Sequence, residues 1–132
     1  MIDADWTVHR RDDGELLGWI RPDGDAWVAV DLLGRTASAP TEWLEAEAAL
    51  EALGIAYLAE PWMLEGEGML EGEGDRPVRV RFVEVTPERI VVKGEDFGAV
   101  DAMTRRWELP WPLPARLRPP RPGDPDAFVI DR

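Results

Sequence analysis

The stretch TEWLEAEAALEALG, residues 41–54, decides how the fold is predicted, because it contains the clearest helical pattern in the chain. Apolar side chains recur in it at intervals of three and four residues, which is the spacing of one face of an α-helix. They are Trp43, Ala46, Leu50 and Leu53. Pro40 and Thr41 are typical of a helix start, and Gly54 is typical of the position after a helix end. We predict one amphipathic helix here, with the Thr41 hydroxyl capping its first turn.

Three apolar runs separated by turn signals precede the helix. DWTVHRR, which begins at Asp5, alternates with the two-residue period of a strand and is followed by DDG, a turn signal. ELLGWIR and AWVAVDLL come next, and RPDGD between them combines a proline and a glycine in a second turn. The pattern predicts a three-stranded antiparallel meander over residues 5–33.

Two further strand patterns and a proline-rich tail follow the helix. IAYLAEPWML, residues 55–64, is typical of a fourth strand, in which Pro61 marks an edge or a bulge because proline has no backbone N–H. PVRVRFVEV and RIVVKG, within residues 77–94, predict a second hairpin. WELPWPLPARLRPPRPGDPDAF, residues 107–128, contains too many prolines for regular structure, so we predict an extended tail.

Together these patterns predict an α+β fold. Its mainly antiparallel sheet has about six strands, from the meander, the fourth strand and the hairpin, with the amphipathic helix packed on a face and the proline-rich C-terminal tail outside. At 132 residues the chain has the size of one domain, so we predict a single domain over residues 1–132. The alternative is two sub-lobes, 1–64 (β-β-β-α-β) and 76–132 (hairpin plus proline-rich tail), joined by an acidic loop, 65–75.

Residues that commonly act as nucleophiles or general bases are scarce. Cysteine is absent, which excludes disulfides and thiolate metal sites, and His9, Ser38 and Tyr57 are the only residues of their types. We expect His9 on a solvated strand face and Ser38 as a loop hydroxyl, so the composition favours a non-catalytic protein without a cofactor. No apolar run reaches the roughly 18 residues that a membrane helix needs. We therefore predict a cytoplasmic protein that does not bind membranes.

Charge is distributed unevenly along the chain. The formal net charge is −12: residues 1–75 hold 18 acidic and four basic residues and carry −14, whereas residues 76–132 hold nine acidic and eleven basic residues and carry +2. From Thr36 to Asp75 there are ten acidic residues and no basic one. Such a surface repels phosphate backbones, so nucleic acid is not an expected partner. It favours a protein partner or self-association, for which we expect isologous dimers.

The tandem repeat MLEGEGMLEGEG, residues 63–74, lies inside this acidic stretch. Carboxylate oxygens are the hard ligands that Ca²⁺ and Mg²⁺ take, and glycines permit a tight wrap around an ion. The candidate ligands are Glu65, Glu67, Glu71, Glu73 and Asp75. Because the repeat lacks the ligand spacing of an EF-hand loop, two alternatives stand beside a cation site: a duplicated, tolerated surface loop, and an acidic contact for a basic partner.

Arg79 and Arg81 are candidate contact residues on the strand that follows the repeat. They alternate with Val78, Val80 and Phe82 in PVRVRFVEV. Because successive side chains of a strand point to opposite faces, the pattern predicts one apolar face and one basic face. The basic face comes directly after the acidic stretch, so either the two meet within one molecule or they meet between molecules.

The tail contains two further candidate features. Trp107 and Trp111 lie at the two ends of WELPW, and we expect them to attach the tail to the rest of the domain. Arg116, Pro119 and Pro122 form an R-x-x-P-x-x-P arrangement within RLRPPRP. Aromatic grooves of partner proteins bind such segments as polyproline II helices.

The sequence leads to three hypotheses for the function. The favoured one is a non-catalytic intracellular protein-interaction module with an acidic N-terminal half, because catalytic residue types are scarce and the charge is divided. The second is a divalent-cation-binding protein or enzyme that uses carboxylates alone. The third is an acidic nucleic-acid mimic, whose carboxylates occupy the basic groove of another protein.

Overall fold

The computed structural model describes residues 2–65, 77–94 and 106–122. The strands in these residues are β1 (Thr7–Arg10), β2 (Leu16–Asp23), β3 (Ala26–Asp31), β4 (Trp62–Leu64), β5 (Val78–Thr86), β6 (Arg89–Gly94), β7 (Arg106–Leu109) and β8 (Leu117–Arg118). The helices are α1 (Trp43–Leu53) and a short 3-10 helix (Ala56–Ala59). Neither helix of this part of the chain has the length and apolar character needed to cross a membrane.

The strands belong to two antiparallel sheets. β1, β2 and β3 form the first sheet in that order, which is the predicted meander. The second sheet has the order β7-β6-β5-β4-β8, in which β5 and β6 are the predicted hairpin. The predicted α+β class, with antiparallel strands and one α-helix, is therefore confirmed. Two sheets form instead of one because β2 and β3 bury side chains on both faces, and each face needs a cover.

The first sheet lies between α1 and the second sheet, because its side chains alternate between two apolar clusters. Ile20 and Ala29 belong to the cluster that contains Leu50 of α1. Trp19 and Val30, the neighbouring residues on the same strands, belong to the cluster that contains the second sheet. The fold therefore has three layers, with α1 and the second sheet on opposite sides.

Both edge strands of the second sheet come from the proline-rich tail, although no regular structure was predicted there. β7 pairs with β6, and β8 pairs with β4. Pro110, Pro112 and Pro114 lie in the connection between the two strands. These prolines lie outside the two strands, so their missing N–H groups remove no hydrogen bond from the sheet. The tail is thus an integral part of the sheet.

The fourth strand is shorter and more central than predicted. The chain after α1 first forms the 3-10 helix, and β4 begins only after Pro61. Pro61 does not mark an edge, since β4 lies between β5 and β8. A proline just before a strand is tolerated because no ladder hydrogen bond is required of it.

Helix α1 follows the predicted stripe except at its two ends. Ala46 and Leu50 are buried, but Leu53 in the last turn is 40% exposed. Thr41 is not the cap: its backbone pairs with Trp27, which places Glu42 at the start of the helix without a side-chain capping bond. Backbone hydrogen bonding between Thr41 and Trp27 of β3 therefore outweighs the preference of threonine for the capping position.

Two glycines permit close contacts between layers. Gly18 in β2 has a φ of 154°, and a Cβ there would lie 2.2 Å from the Val30 carbonyl oxygen and 3.1 Å from a methyl group of Leu50. Gly34 has a φ of 86°, and a Cβ there would lie 2.5 Å from Cβ of Pro112. A side chain at Gly18 would therefore clash first with the backbone of β3 and then with α1, and one at Gly34 would clash with the tail.

The buried carboxylate of Asp31 organises the turn that follows β3. Its Oδ1 accepts hydrogen bonds from the backbone N–H groups of Leu33 and Arg35, each at 2.9 Å. Its Oδ2 accepts a bond from Nε of Arg35 at 2.7 Å. These bonds offset the cost of burying a charged group. They hold residues 31–35, called the 31–35 turn below, in one conformation.

The 31–35 turn binds the C-terminal tail through its backbone. Nε1 of Trp111 donates a hydrogen bond to the Leu32 carbonyl at 2.9 Å. The N–H of Leu113 donates to the Leu33 carbonyl at 2.8 Å. These contacts are 79 and 80 residues apart in the sequence, and they join the first sheet to the connection between β7 and β8.

The larger apolar cluster contains residues from both halves of the chain. Its buried members are Trp19, Val30, Leu33, Trp62, Leu64, Val80, Ile90, Val92, Leu109, Trp111 and Leu117. Residues before and after the acidic stretch therefore share one core. The predicted domain boundaries stay a prediction, because residues 66–75 of the proposed joint, the acidic loop 65–75, lie outside the described residues.

Leu50→Ala is expected to lower the free energy of unfolding by about 2–5 kcal/mol, because the truncation leaves a cavity between α1 and the first sheet. Leu44→Ala is the matched control, since Leu44 lies on the same helix and is 74% exposed. Its effect should stay within about 0.5 kcal/mol. Denaturant unfolding of the parent and both variants measures the difference, and equal losses would contradict the assigned helix face.

Asp31→Ala is expected to lower the free energy of unfolding by about 3 kcal/mol or more, because the guanidinium of Arg35 and two backbone N–H groups lose their acceptor. Asp23→Ala is the control, since Asp23 is an exposed carboxylate at the end of β2. Thermal and denaturant unfolding of both variants test this expectation. A loss no larger than that of the control would mean that other contacts suffice to hold the 31–35 turn.

Candidate interaction surface

Three cations lie side by side on the outer face of the second sheet. Arg81 of β5 is directly opposite Lys93 of β6, and Lys93 is directly opposite Arg106 of β7. Their neighbours Val80 and Val92 are buried in the core, so the cations point away from it. Lys93 and Arg106 are exposed and Arg81 is half-buried. These three residues are called the cationic row below.

The cationic row has an electrostatic cost. Like charges directly opposite each other on neighbouring strands repel and destabilise a sheet. An anion bound between or above them would turn this repulsion into a net attraction. One member is held in place by the protein, since Nη1 of Arg81 donates a hydrogen bond to the Ala59 carbonyl at 2.8 Å. The row is therefore a partly preorganised arrangement that favours a negatively charged group.

Two more arginines lie on the same face beside the row. Arg79 of β5 is opposite Met63 of β4, and Met63 is opposite Arg118 of β8. Met63 is fully buried, although it belongs to neither apolar cluster. Arginine stems cover apolar surface while their charged ends reach outward, so the two arginines are placed to cover Met63. The predicted basic face of β5, Arg79 with Arg81, is thus one side of a sheet.

At the other end of this face, Arg89 is paired with two carboxylates. Arg89 donates hydrogen bonds to both carboxylate oxygens of Glu84, at 3.1 and 3.2 Å, and lies 3.7 Å from Glu108. The bonds to Glu84, and then the charges of the two carboxylates, raise the pKa of Arg89 above its usual value. Positive charge at this end is compensated within the sheet.

An acidic surface lies on the other side of the molecule. Glu42 and Glu45 are exposed at the start of α1, and Leu44 between them is 74% exposed. These three residues are called the acidic helix face below. Because the first sheet separates α1 from the second sheet, the acidic helix face and the cationic row point in opposite directions.

His9 lies between β1 and α1, which contradicts the expected solvated strand face. Its side chain is only 12% exposed, with Nε2 at 2.9 Å from Oε2 of Glu51 and Nδ1 at 3.6 Å from Oε2 of Glu47. His9 is opposite Gly18 in β2, on the side of the sheet that α1 covers. Strand alternation gives no information about which face the later helix will cover, so the sequence pattern missed this contact.

The rare hydroxyl groups take part in internal hydrogen bonds. The Ser38 hydroxyl accepts a bond from the N–H of Ala29 at 3.0 Å. The Tyr57 hydroxyl accepts a bond from the N–H of Leu32 at 3.1 Å, which attaches the 3-10 helix to the 31–35 turn. Both hydroxyls therefore stabilise loops against β3, which agrees with the expectation of a loop hydroxyl for Ser38.

Tyr57 also contacts the ion pair of the 31–35 turn. The guanidinium carbon of Arg35 lies 5.1 Å from the Tyr57 ring centre and 5.2 Å from the Trp62 ring centre, within cation–π range of both. Burial raises the pKa of Tyr57 to about 12, with a further raising effect from the Asp31 carboxylate, while the Leu32 N–H and Arg35 lower it. The phenol is therefore neutral at neutral pH and serves as a hydrogen-bond acceptor.

Of the five candidate cation ligands, Glu65 alone falls within the described residues. Glu65 forms an ion pair with Arg118, and its Oε2 lies 3.5 Å from Nη2 of Arg121. The other candidates lie outside the described residues: Glu67, Glu71, Glu73 and Asp75. Within the described ranges, no group of three or more His, Cys, Asp or Glu residues is arranged to hold a metal ion.

The tryptophans of the tail pack against the core of their own chain. Trp111 is buried, and its ring meets that of Trp19 edge to face at a centroid distance of 5.7 Å. Trp107 on β7 is half-buried against the same cluster. Both rings therefore join the tail to the core of the same chain.

The R-x-x-P-x-x-P arrangement is interrupted by β8. Arg116, Pro119 and Pro122 are exposed. Leu117 and Arg118 between them pair with β4, so the first half of the arrangement is a strand of the second sheet. Binding of this segment to an aromatic groove also stays a prediction.

Lys93 and Arg106 were not singled out from the sequence. The opposition of Arg81 and Lys93 depends on the irregular pairing between Phe82 and Glu84, because a regular hairpin would place Arg81 opposite Gly94. The turn signal alone therefore did not specify this pair. Arg106 joins them only because β7 pairs with β6 across residues 95–105, and no local pattern specifies that pairing.

Comparisons of the chain with protein-family models, with curated proteins and with solved structures found no match. The class defined by the fold is a three-layer α+β protein with a cationic sheet face and an acidic helix face.

A spectrophotometric titration of the phenol is expected to give a midpoint near pH 12, because Tyr57 is the only tyrosine and burial raises its pKa to about 12. The folded state then keeps a proton that the unfolded chain loses near pH 10. The stability that this group contributes is therefore complete below about pH 10 and is lost as the pH rises towards about 12. In concentrated urea the midpoint should return to about 10, and a folded-state midpoint there would contradict the burial of the hydroxyl.

Proposed function

We propose that this protein is a non-catalytic, cytoplasmic interaction module that binds an acidic protein surface through the cationic row. The observation that carries the proposal is the cross-strand register that places Arg81, Lys93 and Arg106 next to one another on an outward sheet face. The internal use of Ser38 and Tyr57 in loop contacts is consistent with a non-catalytic role.

The spacing of the row suits carboxylates on a protein. Neighbouring strands lie about 4.8 Å apart, so the three cations extend over roughly 10 Å across the sheet. Charge-assisted hydrogen bonds from guanidinium and ammonium groups to carboxylates are stronger than neutral ones. Complementary charge also accelerates association and selects partners, although it adds modest affinity.

A protein partner is favoured over a nucleic acid by the total charge. Nucleic-acid binding depends on many lysine and arginine contacts to phosphates and on favourable long-range attraction. This chain has a net charge of −12, so a long polyanion is repelled at a distance. A compact acidic patch on a protein can contact the cationic row without approaching the acidic surfaces of this chain, which limits that repulsion.

The two other hypotheses stay predictions from the sequence. Four of the five candidate cation ligands, which include Glu67 and Asp75, lie outside the described residues. The nucleic-acid mimic has the same standing, because four of the ten acids between Thr36 and Asp75 lie outside the described residues.

The proposal is tested with a fluorescein-labelled peptide of consecutive glutamates, whose binding is followed by fluorescence anisotropy at low ionic strength. The variant Lys93→Gln/Arg106→Gln removes two charges of the row. It is expected to weaken binding by about tenfold. The matched control is Arg10→Gln/Arg11→Gln, which removes two exposed charges from the first sheet and changes the net charge equally.

The control should bind the peptide within about twofold of the parent, since only the long-range field is altered. Equal weakening by the two double variants would contradict a localised site. A single-stranded oligonucleotide of the same charge serves as a second probe. If it binds more tightly than the peptide and depends on Lys93 and Arg106, the acidic-protein proposal is replaced by nucleic-acid binding.

A further inference from the structure

We infer that the partner of the cationic row is the acidic helix face of a second copy of this chain, in a head-to-tail contact. The inference rests on the proposed function and names the acidic surface that the row binds. The two surfaces lie on opposite sides of the three layers, so the acidic helix face and the cationic row of one molecule do not meet each other. A second copy can bring the two surfaces together.

The two faces match in spacing as well as in charge. Glu42 and Glu45 are three residues apart on consecutive turns, so their side chains are separated by about 5–6 Å. The strands of the row are about 4.8 Å apart. A helix that crosses the strands of a neighbouring copy therefore places one carboxylate near each of two adjacent cations, such as Lys93 and Arg106.

Each face also exposes a large apolar side chain beside its charges. Leu44 lies between the two glutamates of the acidic helix face and is 74% exposed. Val83, at the irregular position in the pairing of β5 with β6, is 42% exposed. Contacts that bury apolar groups inside a ring of charges combine affinity with orientation. Leu44 thus gives the helix an anchor that does not depend on charge.

The geometry determines the symmetry of the association. An isologous dimer uses the same patch on both copies, whereas a contact between two different patches is heterologous. With its patches on opposite sides, this molecule forms heterologous contacts, and each added copy presents a new helix face or a new cationic row. Association therefore proceeds past the dimer, in contrast to the isologous dimer expected from the sequence.

Two neutralising variants isolate the two faces. Lys93→Gln/Arg106→Gln keeps the acidic helix face, and Glu42→Gln/Glu45→Gln keeps the cationic row. Molar mass is measured by light scattering and sedimentation at low ionic strength over a concentration series, with circular dichroism as a check of folding. The matched control is Asp23→Asn/Asp25→Asn, which neutralises two exposed acids, one at the end of β2 and one in the turn that follows it.

The parent and the control are expected to increase in mass with concentration beyond two chains, and to dissociate as salt screens the contact. Each face variant alone should remain a monomer. An equimolar mixture of the two should form a heterodimer and stop there, because it contains one intact helix face and one intact row. Leu44→Ala, which changes no charge, should weaken the association of the parent several-fold.

Three outcomes would overturn the inference: a parent mass that stops at two chains, a mixture that remains monomeric, or an association that Leu44→Ala leaves unchanged. Binding of the glutamate peptide shows whether the inference alone fails or the proposed function fails as well. If Lys93→Gln/Arg106→Gln abolishes peptide binding while the parent remains a monomer, the cationic row binds acidic proteins and the second copy is excluded as its partner. If the double variant leaves peptide binding intact, the proposed function and the inference both fail.

Discussion

The hydrogen bonds of the buried Asp31 carboxylate are the interaction on which the three layers depend. Burying a charge is costly unless it is paired and hydrogen-bonded, so these bonds hold the 31–35 turn in one conformation. That turn supplies the carbonyl groups of Leu32 and Leu33 to the C-terminal tail. It also supplies the Leu32 N–H to Tyr57. The first sheet, the 3-10 helix and the tail are thus joined at a single carboxylate.

The same arrangement separates the charges of the molecule. The tail is attached to the 31–35 turn, its two strands form both edges of the second sheet, and the apolar side of that sheet faces the first one. The cations of β5, β6 and β7 are left on the outside. Helix α1 covers the other side of the first sheet, and its acids point away from those cations. The molecule is therefore electrically polar along the direction in which its layers are stacked.

Local patterns predicted the parts of the fold that depend on near neighbours. The meander, α1 and the β5–β6 hairpin each contain a regular apolar period and a turn signal, so they could be located without tertiary information. Patterns were less informative where a distant segment determines the outcome. Thr41 pairs with β3 instead of capping α1, His9 is covered by α1, and the proline-rich tail forms two strands, all through contacts with elements far along the chain.

By itself, the sequence determined the periodicity of the helix and strands, the division of charge and the basic side of β5, because each of these is a property of residues close together in the chain. Only the tertiary structure decided that the strands form two sheets and that Lys93 and Arg106 extend Arg81 into a row. It also decided that acids and cations face opposite ways. The physical reason is that side-chain alternation assigns residues to one face or the other of a strand, whereas the burial of both faces of the first sheet determines what covers each face.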